Sequence, residues 1–326
     1  MILAGDVGGT KTLLAVFDPG AGMSVAREAT LPSREIESLE SAVEAFLLGA
    51  PRFKVEVGCV GVAGPVMDGR CVATNLPWQV DERRLAAAAG APVKLINDLE
   101  AAAHGVLTLP AEKFLVLQAG TPKPGGNMGL IAAGTGLGQA LIVTDGQAYR
   151  VVASEGGHAD FAPADEAQVD LLRFLWAEFG HVSWERILSG PGLANIYRFL
   201  QTRAGHAAPD WLRARLQRED PGAVVGEVGL AGRDPVCAEA LDLFVSIYGA
   251  QAGNLALETL ALGGLVVGGG IAPKIQTKLA DGRFMAAFRA KGRLESLLAS
   301  MPVRVALDAR AGLLGAARVA SGLRTS

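Results

Sequence analysis

GDVGGTKTLLAVFD (5–18) and AAGTGLGQALIVTD (132–145) repeat one pattern: a glycine–threonine turn, an apolar strand and a closing aspartate. The first copy reads as strand, turn, strand through MILAGDV, GGTK and TLLAVFD, and the second does the same within NMGLIAAGTGLGQALIVTDG (127–146). One copy in each half predicts two related α/β domains facing a cleft. Outward from the first hairpin, apolar residues at helical spacing predict a helix over EIESLESAVEAFLL (35–48). Strands follow in KVEVGCVGVAG (54–64) and GRCVAT (69–74), then a short helix, DERRLAAAAG (81–90), stopped by Gly90. VKLIN (93–97) is a strand that runs straight into the helix DLEAAAHGVLTL (98–109). Beyond the second hairpin the pattern is mainly helical from about 165 to 262. LGGLVVGGG (262–270) then gives a strand and turn into a helix, IAPKIQTKLA (271–280), and PVRVALDARAGLLGAARVA (302–320) gives a strand and a final helix. The expected division is a small α/β domain over 1–109, completed by the C-terminal helix at about 304–326, and a large α/β domain with a helical insertion over 110–303.

Composition narrows the function. With 326 residues, half of them hydrophobic and 19% charged, the chain can bury a sizeable core and is not disordered. A net charge of −3, from 30 basic and 33 acidic residues, leaves no electrostatic footprint for nucleic acid or an anionic membrane. LALETLALGGLVVGGG (255–270) is interrupted by Glu258, so no membrane span is expected. MILAGDVGG has no basic n-region or long apolar stretch, so no signal peptide is expected. Cys59, Cys71 and Cys237 are odd in number, scattered and without a CxxC pair. They predict neither a disulfide framework nor a structural zinc site, and they fit a cytoplasmic protein.

The 42 glycines, about 13% of the chain against roughly 7% on average, gather in short patches. Gly8, Gly9 and Thr10 form one, Gly134, Thr135 and Gly136 a second, and Gly268, Gly269 and Gly270, ahead of a helix, a third. Any one alone reads as a tight hairpin. Three together, two of them alike, point to main-chain N–H groups aimed at phosphate, with threonine hydroxyls and the Lys11 charge beside them. There is no GxxxxGK[ST], GTGLG is not GxGxxG, and the protein-kinase signatures are missing. Asp6, between the first strand and its turn, is either an ordinary turn aspartate or a holder of Mg²⁺, directly or through water.

Asn97 and Asp98 end a strand and open a helix. They read as a helix cap or, at a strand end of an α/β sheet, as ligand-facing groups with Asp98 a general base. SEGGHADFAP (154–163) brings Glu155 and His158 around two glycines, a polar loop or a binding loop. His104, His181 and His206 form no metal-ligand spacing with it. Glu185 lies early in a helix beginning near Ser183, where by itself an acidic side chain reads first as a partner of the helix dipole. Carboxylates and amides of this kind suit a polyol, whose hydroxyls both donate and accept.

The chain resembles bacterial ATP-dependent glucokinases of the hexokinase–actin-like superfamily over almost its whole length. The resemblance rests on GDVGGTKT (5–12), AGPV (63–66), TNLPW (74–78), LINDLEAAAHG (95–105), GTGLG (134–138), SEGGHADFAP (154–163), GHVSWERILSGPGLANIY (180–197) and GGLVVGGGIAPK (263–274). It implies a two-lobed actin-like ATPase fold, related to ribonuclease H, with an interdomain cleft closing on a sugar. It also implies transfer of the γ-phosphoryl group of Mg-ATP to the 6-hydroxyl of D-glucose, giving glucose 6-phosphate and ADP at the entry to glycolysis. Carried over residue by residue, it makes Asp98 the catalytic base and Asn97, Asp98, Glu155, His158 and Glu185 the glucose ligands. Gly5, Asp6, Val7, Gly8, Gly9, Thr10 and Lys11, with Gly134, Thr135 and Gly136, become the ATP phosphate loops, and Gly268, Gly269 and Gly270 the adenosine-side turn. A homodimer is implied as well. Two features depart from relatives: Lys11 stands where many members carry Asn, and the zinc-binding cysteines of the repressor/open-reading-frame/kinase (ROK) group are missing. The chain is therefore placed in the zinc-free branch, and with no helix-turn-helix segment ahead of residue 5 a DNA-binding sugar repressor is not expected. Other readings of the same fold are a different hexose or amino-sugar kinase, a sugar-sensing protein, or an Hsp70-like ATP switch.

Overall fold

The computed structural model describes residues 1–49, 53–73, 76–205 and 207–324. Thr74 and Asn75 of the TNLPW motif, His206 and the last two residues lie outside them. The opening repeat folds as a hairpin of β1 (Ile2–Val7) and β2 (Lys11–Asp18), with Val7 opposite Thr12 at the turn. Next come β3 (Ser24–Pro32), α1 (Leu39–Leu48), β4 (Val57–Val62), the short strands β5 (Val66–Met67), β6 (Arg70–Val72) and β7 (Gln79–Asp81), α2 (Glu82–Ala89), β8 (Val93–Asn97) and α3 (Asp98–Val106). The chain continues with β9 (Phe114–Gln118), β10 (Met128–Ala133), β11 (Leu137–Thr144), β12 (Tyr149–Ser154), α4 (Glu166–Phe179), α5 (Gly190–Ala204), α6 (Asp210–Arg218), α7 (Pro221–Leu230) and α8 (Pro235–Thr259). It ends with β13 (Gly264–Gly268), α9 (Gln276–Leu279), α10 (Arg283–Arg289), α11 (Glu295–Ser300), β14 (Val303–Ala306) and α12 (Ala311–Leu323).

The chain divides into two compact units, Met1–Ala111 with Asp308–Ser326, and Glu112–Leu307. The first is built on a five-stranded sheet ordered β3-β2-β1-β4-β8, antiparallel from β3 to β1 and parallel from β1 to β8. Side chains alternate across this sheet. Leu3 and Val7 join Leu39, Val43, Phe46 and Leu85 in a core under α1 and α2. Ile2 and Ala4 join Ala101 of α3 and Leu313, Ala316 and Ala317 of α12 on the other face. The two helices on that face cross at small residues. A Cβ on Gly105 would run into the Ala311 carbonyl oxygen, and one on Gly315 into the Ala101 carbonyl oxygen. That close approach draws α12 onto β1 and fixes where its first turn lies.

The second unit has a six-stranded sheet ordered β12-β11-β10-β13-β14-β9. Its strands β12, β11, β10, β13 and β14 repeat the order and directions of β3, β2, β1, β4 and β8. β9 adds to the far edge, antiparallel to β14. One face packs Ile131, Leu265 and Val267 against Leu241, Phe244, Tyr248 and Leu255 of α8, in a core that reaches α5, α7 and α10.

Several boundaries differ from the sequence expectation, each for a local reason. The helix expected from residue 35 starts at Leu39, because Ser38 and Ser41 form a reciprocal capping box there. IAPKIQTKLA is a 3₁₀ turn at Ala272–Ile275, with Pro273 in its first turn, followed by only four α-helical residues in α9. The segment returning to the first unit begins at Asp308 and not at 304, since β14 is claimed by β13 and β9. Among the described residues no helix is long and apolar enough to cross a membrane.

Candidate active site

In the first unit the predicted residues gather at the carboxyl ends of β1, β4 and β8. Asp6 has the parity of Ile2 and Ala4, so its side chain turns toward α3 and α12. Gly312, in the first turn of α12, leaves room for it: a Cβ there would run into the Asp6 carboxylate. Enclosure by protein, and then the neighbouring Asp98 carboxylate, push the Asp6 carboxyl up to about 7. The path from β8 into α3 has no intervening loop. Asn97 caps the helix, its Oδ1 accepting from the Leu99 N–H at 2.8 Å and the Glu100 N–H at 3.3 Å. Its Nδ2 donates to the Gly64 carbonyl at 3.0 Å, tying the end of β8 to the loop after β4. Asp98 Oδ1 accepts its own helix's Leu99 N–H at 2.9 Å. The cap reading of Asn97 thus holds, and the same cap sets where the Asp98 carboxylate sits.

The first glycine turn is held from beneath by a residue that sequence reading missed. Ser33 is fully buried; its Oγ donates to the Gly8 carbonyl at 2.8 Å and pairs with Thr12 Oγ1 at 2.9 Å, and its N–H donates to the Thr10 carbonyl at 3.1 Å. The Gly8 N–H closes the hairpin onto the Lys11 carbonyl at 2.9 Å, so this amide is committed within the turn. Thr10 and Lys11 are exposed at the turn. Gly5 and Val7, expected within the phosphate loop, are buried strand positions. Val7 is in the core, and Gly5 is small because Val60 and Leu14 press against it.

In the second unit, Gly134–Gly136, Gly269–Gly270, Glu155, His158 and Glu185 converge at the carboxyl ends of β10 and β13. The Ile271 N–H donates to the Ala133 carbonyl at 3.1 Å, and Gly269 takes φ +82° against that same carbonyl, where a Cβ would collide. Gly268 is the buried last residue of β13, so the turn itself is Gly269 and Gly270. The Gly134 N–H returns to the Gly136 carbonyl at 2.8 Å and the Gly134 carbonyl accepts from the Gly190 N–H at 2.8 Å, which ties the turn to itself and to the start of α5.

Glu185 is not on the expected helix. It lies in an isolated 3₁₀ turn, Trp184–Arg186; α5 starts only at Gly190, where Ser189 caps it and Pro191 follows. Its Oε2 accepts the Leu137 N–H at 2.9 Å, and a Cβ on Gly136 would strike that oxygen. Glu185, expected among the glucose ligands with a helix-dipole role as the competing reading, sits against the second glycine turn. Glu155 precedes and His158 ends another 3₁₀ turn, Gly156–His158; their side chains are 4.0 Å apart and more than half exposed. Gly157 lies directly on the Leu137 carbonyl and Gly156 on the Gln139 side chain, so the strand start Leu137–Gln139 seats both carboxylate-bearing segments.

Among the described residues no cluster of three or more His, Cys, Asp or Glu is arranged to hold a metal. All three cysteines are buried and free. Asp6 and Asp98 offer two hard carboxylate neighbours, a set that fits Mg²⁺ carried mainly by water and phosphate oxygens.

Residues 3–323 match the glucokinase family model. The chain is 43% identical to a glucokinase of Synechocystis sp., over 97% of this chain and 96% of that one. The structure of a glucokinase from an Antarctic psychrotroph is similar with a TM-score of 0.83 at 32% identity, covering 98% of each chain. A ROK family glucokinase from Streptomyces griseus, solved with glucose and AMPPNP, is similar with a TM-score of 0.67 at 24% identity, over 98% of this chain and 99% of that one. The repeated five-strand order is that of the actin-like ATPase fold these neighbours share.

Proposed function

The chain belongs to the glucokinase family, and we propose that it transfers the γ-phosphoryl group of ATP to the 6-hydroxyl of D-glucose with Asp98 as the base. The observation that carries this reading is the junction of β8 and α3. Asn97 and Asp98 stand together at the carboxyl end of a buried parallel strand, and the cap that holds Asn97 also orients Asp98 beside Asp6. Phosphoryl transfer asks for placement and charge compensation more than covalent chemistry. Asp98 accepts the hydroxyl proton as the oxygen–phosphorus bond forms. Asn97, Glu155, His158 and Glu185 pair with the remaining sugar hydroxyls, which rejects analogues lacking one because a polar partner is then left unpaired. The Gly9, Thr10, Thr135 and Gly136 amides donate to phosphate oxygens, the Thr10 and Thr135 hydroxyls add donors, and Lys11 adds charge. Asp6 would hold Mg²⁺, directly or through water, and the ion would supply charge compensation for the phosphates.

The test is purified protein with Mg-ATP and a panel of hexoses and amino sugars, following ADP and the sugar phosphate. The reading expects ADP release that depends on glucose and matches glucose 6-phosphate one for one. Sugar-independent ATP hydrolysis, binding without turnover, or faster use of another hexose would each replace it.

A further inference from the structure

Tyr248 sits midway along α8 and is completely buried. Its ring is fixed by edge-on contacts with Phe244 and Phe284, at centroid distances of 5.8 and 5.6 Å. Its hydroxyl reaches main chain only. It accepts the Ala133 N–H at 3.2 Å and lies 3.3 Å from the Ile131 carbonyl and 3.4 Å from the Gly268 carbonyl, either of which takes its proton. Burial pushes the phenol well above its ordinary range, so it remains a donor and an acceptor at every working pH.

Those three groups belong to one place. Ala132 opposite Gly268 is the last rung of the parallel pair β10–β13. Just beyond it both strands leave the sheet: β10 after Ala133 into Gly134–Gly136, and β13 after Gly268 into Gly269–Gly270. The Ile271 N–H to Ala133 carbonyl bond is the next link outward. A single hydroxyl from a helix thus bridges the two strands directly beneath both glycine turns, at the point where the ladder stops holding them together. An apolar ring would fill the same space without touching either strand's polar groups.

We propose that Tyr248 is the positioning residue of the nucleotide half of the site, setting the spacing between the 134–136 and 269–270 turns. This rests on the reading that these turns hold ATP. Tyr248 touches no substrate, and its effect passes through main chain, so it should separate nucleotide from sugar binding in a way that general loosening would not.

The test is Tyr248→Phe in the full chain, with binding of ATP and of glucose each measured alone by calorimetry and KM measured for both. Loss of one bridging hydroxyl should weaken ATP roughly tenfold, the scale of one such hydrogen bond, with glucose changed less than twofold. Phe244→Leu is the packing control; it should lower the melting temperature and leave the ratio of the two affinities as in wild type. Unchanged ATP binding in Tyr248→Phe, or equal weakening of ATP and glucose, overturns the proposal. Thr135→Ala separates the two failures: if it weakens ATP while Tyr248→Phe does not, the turns hold nucleotide without Tyr248, and if neither does, the nucleotide reading has failed as well. Should Tyr248→Phe fold too poorly to assay, amide exchange at Ala133 in wild type decides; ATP slowing it more than glucose supports the proposal, and equal effects overturn it.

Discussion

Replacing Asp6 by Asn should stabilise the protein while disabling it. Asp6 titrates at about 7 in the folded chain against an ordinary 3.8, first because protein surrounds it and second because Asp98 is beside it. Its raised value means that the fold prefers the protonated carboxyl. Below pH 3.8 both folded and unfolded chains carry the proton and Asp6 costs nothing. As pH rises from about 4 to about 7 the unfolded chain ionises first, and stability falls throughout that window. Above pH 7 the loss is complete, about 4 kcal/mol at most from the displacement of the titration. Asn keeps the shape and has no charge, so it removes this cost. Urea denaturation without Mg²⁺ should show Asp6→Asn more stable than wild type, with the gap widening by roughly 2–3 kcal/mol between pH 5 and pH 8. Turnover should fall by a hundredfold or more if the carboxylate serves the metal. A gap that stays constant with pH, or a variant less stable than wild type at pH 8, would refute the burial reasoning.

Ser33→Ala removes the hydroxyl beneath the first glycine turn and should lower stability by about 1–3 kcal/mol, with KM for ATP rising more than KM for glucose in steady-state kinetics. Gly136→Ala pushes the Glu185 carboxylate off the Leu137 N–H; KM for glucose should rise at least tenfold, while thermal unfolding shows a change within about 1 kcal/mol because the displaced group is a side-chain end. Glu155→Gln or His158→Ala should raise KM for glucose much more than for ATP, and the opposite ranking in the same assay would remove them from the sugar pocket. Gly315→Leu places a side chain against the Ala101 carbonyl where α3 and α12 cross, and circular dichroism should show loss of cooperative folding of the first unit.

Much of the fold is legible in the sequence. The two hairpins announce themselves because a glycine–threonine turn between apolar strands is a local signal, and the strand-to-helix junction at Asn97 and Asp98 is marked by a capping residue. What escaped reading depends on distant partners. Ser33 is one of two serines in SREIES (33–38), and nothing nearby says that it reaches under residues 8–12. Gly312 is one small residue among many in AGLLGAARVA, and only the packing of α12 on β1 gives it a role beside Asp6. Tyr248 is a tyrosine inside an apolar helix, a pattern that reads as core; its hydroxyl acquires meaning from strands about 115 and 20 residues away. Glu185 reads as the first turn of a helix beginning near Ser183, but Ser189 caps a later start and frees Glu185 for the Leu137 amide.

Asp98→Ala, assayed for glucose-dependent ADP release by single-turnover and steady-state kinetics, bears on the whole reading at once. The variant should remain folded, with the Asn97 cap of α3 intact, and bind glucose and ATP, while kcat falls by roughly a hundredfold or more, the scale of a missing general base. Phosphorylation of glucose at near wild-type rate by a folded Asp98→Ala protein would contradict it.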